Sequence, residues 1–244
     1  MVEVKEERMF TYKGVSSKEM HLRVLNEVVF SSPERDVEVL EIPGRDGELI
    51  LDKGRFKTVT RSVPCRLEPP ADVDIEVLMS EIHSWLLTDS GFHRFTWERD
   101  PEFCYFARVE GDVVSQRMFE RLGRSVLQFR LHPIKYLESS LQAREMVSGW
   151  NVHNPFDIDA KPVVRVIGNG TLTVMIDDRV LRLQDVQGGC VIDSERQLVT
   201  SLDGRTMRFR NLVSPFPVLK PGDNVVSFSE GVEVFVTPRL GALV

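Results

Sequence analysis

The side chains able to carry chemistry are scattered along this sequence and do not converge on any reaction. The five histidines, His21, His83, His93, His132 and His153, stand alone. None falls in HExxH or at a spacing that would bring a second metal ligand onto the same face. His83 and His93 flank the end of an expected helix and are the pair that could meet Cys104, although hydrogen-bonded imidazoles in a β-rich domain explain them as well. The acid pairs Asp157/Asp159 and Asp177/Asp178 lack the glycine and the closing glutamate of a calcium-binding loop. They read as turn formers, Asp177-Asp178 above all, because it stands where a hairpin must reverse. No GxSxG elbow surrounds a serine, and the glycines of Pro43-Gly44-Arg45-Asp46-Gly47 and Gly168-Asn169-Gly170 lack the spacing of a phosphate-cradling loop. Cys65, Cys104 and Cys190 are odd in number and far apart. They form neither a disulfide framework nor a metal knuckle and read as small core hydrophobes. The expectation is a protein without catalytic residues, cofactor or metal. Two distant carboxylates meeting on a glycosidic bond would leave no trace in the sequence.

The elements that must position these residues are mostly strands. From Phe10 to Val63, apolar residues alternate in runs such as Val24–Phe30 and Asp36–Ile42, punctuated by proline and glycine. Between Asp72 and Thr88, Ile75, Leu78, Met79, Ile82, Trp85 and Leu86 recur at helical spacing, with Asp72 or Asp74 placed to cap the first turn. Strands return in 91–100, 103–114 and 124–133, rich in aromatic and branched residues. Residues 136–160 lose periodicity and gather serine, glycine and asparagine, which sets a domain boundary near 140–150. From Lys161 onward short strands and turns alternate, including 189–201, 205–211, 224–231 and 232–239, and predict a β-sandwich. Asn169-Gly170 between two β-rich runs predicts a hairpin, because a type I′ turn needs positive φ at both central positions. The same residues open a glycosylation sequon with Thr171. The start of the chain, MVEVKEERMF, lacks the basic and apolar regions of a secretory signal, so the hairpin reading is kept.

A net charge of −6, with basic residues dispersed among acids, argues against a nucleic-acid surface, which needs a basic stripe. No apolar run approaches the roughly 20 residues of a membrane span. Synthesis in a bacterial cytoplasm is expected.

Several segments, in order, resemble the distal tail proteins of long-tailed bacteriophages. Phe10–Ser17 resembles that family's first strand and turn, and Glu41-Ile42-Pro43-Gly44-Arg45-Asp46-Gly47-Glu48-Leu49 resembles its PGRDG signature. Lys161-Pro162 with Ile167–Gly170 is similar to the start of its second domain, and Val191–Glu195 and Phe216–Asn224 are similar to its closing strands. The similarity covers Phe10 to Pro238. It implies a mostly-β chain in two domains. The first, 1–143, would be a β-sandwich-like ring-forming domain carrying one helix from Asp74 to Leu87; the second, 144–244, a galectin-like β-sandwich. It also implies a structural role: a hexameric ring at the distal end of a virion tail, linking the tail tube to tail-tip, baseplate or receptor-binding proteins.

Within that picture Gly44, Arg45, Asp46 and Gly47 are the candidate motif. The glycines permit a tight turn, and the Arg/Asp pair could fix a contact between strands or between subunits; an ordinary exposed hairpin tip is the plain alternative. A second class of function, a carbohydrate-binding module, rests on the expected second sandwich. Of its aromatics, Trp150, Phe156, Phe209, Phe216, Phe228 and Phe235, only Trp150 stands out as a saccharide-stacking candidate, since phenylalanines at strand spacing belong in cores. Within the structural class, the hub domain of a tail-tip protein shares the general architecture, but such proteins normally continue well past a last strand like the one here.

Overall fold

The computed structural model describes residues 9–25, 31–70, 73–111, 114–119 and 122–244. The expected alternative cap Asp72, much of the Val24–Phe30 run and residues 112–113 of the strand expected over 103–114 lie outside the described residues. The chain is mostly β and folds as two compact units: one runs to Lys135 and takes in Leu243 and Val244, the other spans Tyr136–Ala242.

In the first unit the chain order is β1 (Phe10–Tyr12), β2 (Val15–Ser16), β3 (Leu22–Val24), β4 (Arg35–Glu41), β5 (Glu48–Phe56), β6 (Val59–Leu67), α1 (Ile75–Leu87), β7 (His93–Trp97), β8 (Phe103–Val109), β9 (Val114–Phe119) and β10 (Leu122–Leu131). All pairings are antiparallel. The main sheet follows the order β2-β1-β7-β8-β10-β6-β3, with β9 on the same edge of β10 as β8. Strict alternation drives it: in β6, Val59, Arg61, Val63, Cys65 and Leu67 all face inward, and a period of two puts every second side chain on one face. Arg61 is the unexpected member of that row. Its guanidinium lies 5.7 Å from the centre of the Tyr105 ring.

The helix forms where its spacing predicts. Asp74 is the cap, its side chain accepting from the Glu76 N–H at 2.8 Å, and Ile75, Leu78, Ile82, Trp85 and Leu86 face the core. Trp85 also donates its indole N–H to the Tyr12 carbonyl at 3.0 Å, which ties α1 to β1. Around that bond the rings of Phe10, Tyr12, Phe95, Trp97 and Phe129 close into an aromatic core, Phe95 and Phe129 being 5.0 Å apart.

All three cysteines are buried, as expected of core hydrophobes. Burial pushes the Cys65 thiol up to about 12 and raises that of Cys190. Because the thiolate is the reactive form, none should react with a thiol-specific chromogenic reagent at pH 8 in the native protein, while three should react in denaturant. Rapid native labelling at Cys65 would show that β6 opens.

β11 (Ile134–Leu137) carries the chain into the second unit. There follow β12 (Arg144–Glu145), β13 (Trp150–Asn151), β14 (Val163–Ile167), β15 (Gly170–Ile176), β16 (Arg179–Val186), β17 (Gly189–Asp193), β18 (Leu198–Thr200), β19 (Val225–Phe228), β20 (Glu233–Thr237) and β21 (Gly241–Leu243). β21 pairs with β11; the others make two antiparallel sheets, β12-β20-β14-β17-β18 and β13-β19-β15-β16, whose inner faces share one apolar core from Val164 and Val236 to Val174 and Leu183.

Two sequence expectations fail here. Asn169-Gly170 makes no hairpin: β14 pairs with β17 and β20, β15 with β16 and β19, so the pair turns the corner between two sheets. The Asn169 side chain instead accepts from the Gly188 N–H at 2.8 Å and pins a neighbouring loop. The strand expected over 205–211 is absent as well; Phe209–Asn211 forms a 3-10 turn, with Met207 and Phe209 exposed. Asp177-Asp178, by contrast, does reverse a hairpin, Ile176 opposing Arg179. Asp177 sits in the left-handed region at φ 54° and accepts from the Val225 N–H and from Arg179.

Candidate functional site

β4 and β5 pair with each other and with no other described strand. An isolated two-stranded ribbon is at best marginally stable in water. Its root is closed by ion pairs, Arg35 to Asp52 at 2.8 Å and Arg55 to Asp36 at 2.7 Å. The Arg55 hydrogen bond holds the Asp36 carboxyl below the usual carboxylate range; for Asp52 the Gly54 N–H leads, followed by Arg35. Solvent-screened pairs of this kind contribute little to stability.

Beyond the root both faces carry exposed apolar side chains, with the opposed Glu41 and Glu48 on one face and Glu38 on the other. Directly opposed residues share a face; Val39 opposes Ile50 on one, while Leu40 opposes Leu49 and Glu38 opposes Leu51 on the other. Val39, Leu40, Ile42, Ile50 and Leu51 are all exposed, Ile50 at 61%. A ribbon that lay on a core would need one apolar face. Two such faces suit a wedge held between two surfaces.

The candidate motif forms the tip. Ile42 O accepts from the Arg45 N–H at 3.1 Å, and Gly44 takes φ 80°. Proline at the second position and a positive-φ glycine at the third give a type II turn. Gly47 also takes φ 80°. The Arg45 and Asp46 side chains are exposed and make no bond to each other or to any other described residue. The turn is therefore closed by backbone, and the Arg/Asp pair holds nothing among the described residues. The strands flanking it carry the exposed apolar side chains that no chemical motif marks. Their signal was the unbroken Leu49-Ile50-Leu51, since three consecutive apolar residues in a strand must load both faces.

The remaining candidates disperse. Trp150 lies in β13, opposite Val226, and is 55% exposed. Phe156, Phe216 and Phe228 pack on the second core, whereas Phe209 does not. His93 pairs with Asp89 at 3.1 Å and His153 with Asp223 at 2.8 Å. Among the described residues no three histidine, cysteine or acidic side chains gather as a metal site, and no helix is long and apolar enough to cross a membrane.

No family model and no curated protein sequence matches the chain. Solved structures do. The crystal structure of the SPP1 Dit (gp 19.1) protein, described as a paradigm of the hub adsorption apparatus in phages infecting Gram-positive hosts, superposes with a TM-score of 0.71 at 15% identity, covering 94% of this chain and 97% of that one. The fold is Dit-like. A chain of the phage p2 baseplate in its activated conformation with Sr is similar over the same shares of both chains, with a TM-score of 0.52 at 8% identity. The Dit-like fold thus extends across both units, in the order that the resemblance of the scattered motifs implies.

Proposed function

We propose that this chain is a structural hub of a phage or prophage tail, assembling through its first unit into a hexameric ring between the tail tube and the tail-tip or baseplate proteins. The observation that carries the reading is the β4–β5 ribbon, which bears apolar side chains on both faces that no described residue covers. A second copy would cover it. Contact between unlike surfaces closes into a ring when its rotation divides the circle, and a ring needs no catalytic group. The Dit-like fold over nearly the whole chain supports this reading. The protein would be made in the host cytoplasm and act in the virion tail, with receptor-binding or baseplate proteins attached.

Size exclusion with light scattering over a concentration series, followed by negative-stain imaging, tests it. A hexamer-mass species showing rings is expected, each subunit contact burying upwards of about 1,000 Å². A monomer that also fails to enter tails reconstituted with the other tail proteins would sink the reading.

A further inference from the structure

We propose that the second unit carries a groove that binds a neutral saccharide, built around Trp150. Between Arg144–Glu145 and Trp150–Asn151 the chain passes from the edge of the five-stranded sheet to the edge of the four-stranded sheet. The crossing leaves a groove of about 360 Å³, floored by Met146, Val236 and Leu240 and walled by Trp150. That volume lies at the lower end of small-molecule sites, roughly 300 to 1,000 Å³, and suits one or two sugar rings.

The wall is unusual for this protein. Trp85 and Trp97 are each 8% exposed and sit in the first core, whereas Trp150 is 55% exposed and stacks on no other aromatic ring among the described residues. An exposed indole offers a flat apolar surface to the C–H face of a pyranose, the same contact that makes aromatics effective in binding sites.

The polar groups beside it are fixed in advance. Asn151 donates to Asp223 at 2.8 Å and accepts from the Asn224 N–H at 2.8 Å. His153 places Nδ1 2.8 Å from the same Asp223 oxygen, which leaves Nε2 for a ligand. Arg144 spends one N–H on the Ser139 carbonyl at 3.1 Å and keeps the rest of its fork, while the Glu145 carboxylate has no partner among the described residues. Groups held from behind lose little entropy when a ligand arrives. Together they present donors and acceptors around an aromatic wall, the pattern that a ring of hydroxyls with one apolar face requires.

Charge narrows the class. Arg144 and Glu145 cancel, so the groove lacks the positive excess that phosphate or an acidic polymer needs. A peptide adding a strand is disfavoured too, because β12 and β13 are only two residues long and offer almost no ladder to extend.

The test is saturation-transfer NMR on the full chain with maltotriose, a β-galactotriose, chitotriose and a rhamnose trisaccharide at millimolar concentration. At least one should give a signal. Trp150→Ala should weaken that binding at least tenfold with an unchanged melting temperature, and Trp150→Phe should restore part of it. Silence from all four probes, or a signal indifferent to Trp150→Ala, overturns the proposal. So does hydroxyl-radical footprinting of assembled tails that finds Trp150 covered by a neighbouring protein. The NMR outcomes do not depend on whether the first unit forms a ring.

Discussion

Exchanging Val39 for lysine and Ile50 for glutamate should leave the isolated chain as stable as before and abolish the ring assembly proposed for it. The two residues oppose each other on one face of the ribbon, 47% and 61% exposed, and substitutions at exposed positions usually change stability by no more than about 0.5 kcal/mol. The new pair is itself of opposite charge, so the ribbon keeps its register. Assembly responds differently. If a second copy covers this face, each change removes apolar contact and buries a charge with no partner on the neighbour, at about 2 kcal/mol or more per central interface residue. A closed ring repeats that loss at every contact. Light scattering should therefore report monomer at concentrations where the parent protein forms rings. Rings that persist at parental concentrations would place the interface elsewhere. Arg45→Ala and Asp46→Ala supply the complementary experiment: the tip closes without those side chains, so any loss of assembly on their removal measures contact with a neighbour.

Phe129→Ala should destabilise the first unit by about 3 to 5 kcal/mol, the range for removing a fully buried ring. Phe129 is fully buried, with its ring 5.4 Å from Tyr12, 5.5 Å from Phe10 and 5.0 Å from Phe95. Those neighbours belong to two strands, β1 and β7, and touch the helix through Trp85, so the cavity cannot close by the shift of one element. At roughly 3 °C per kcal/mol for a unit of this size, its calorimetric transition should fall by about 10 °C or more. The transition of the second unit should stay where it is, since Phe129 belongs to the first core alone. A loss below about 1.5 kcal/mol would mean that the aromatic cluster relaxes around the gap. Two transitions that move together would mean that the units do not melt separately.

Where local chemistry decides structure, the sequence was legible. Helix α1 follows from apolar spacing and an aspartate cap, and the Asp177-Asp178 reversal follows from residues that tolerate left-handed backbone. The three buried cysteines also follow from their types and spacing. Where pairing between distant segments decides, it was not. Asn169-Gly170 has the chemistry of a hairpin, yet β14 finds its partners in β17 and β20, which no local signal could announce. Buried Arg61 occupies an inward position of β6 and would have been assigned to solvent by residue type.

The same limit applies to the candidate sites. The Pro43-Gly44 turn was readable, and the flanking Leu49-Ile50-Leu51 run carried a signal that a search for catalytic motifs does not score. Trp150 could be named as an exposed aromatic, but its groove draws on Arg144, His153 and Val236, and their meeting depends on the crossing between sheets.

The return of Leu243 and Val244 to the first unit bears on the order in which the protein folds. Val244 packs against the first core and donates its N–H to the Pro133 carbonyl at 3.0 Å, although the whole second unit intervenes in sequence. Closing so long a loop of unfolded chain carries a large entropic cost. A folded second unit removes most of it, because the Leu137 N–H to Leu240 carbonyl bond, at 2.8 Å, already holds its two ends together. The sandwich is thus an insertion that acts as a clasp: once it has folded, residues remote in sequence reach the first core as near neighbours, and when it melts they are released.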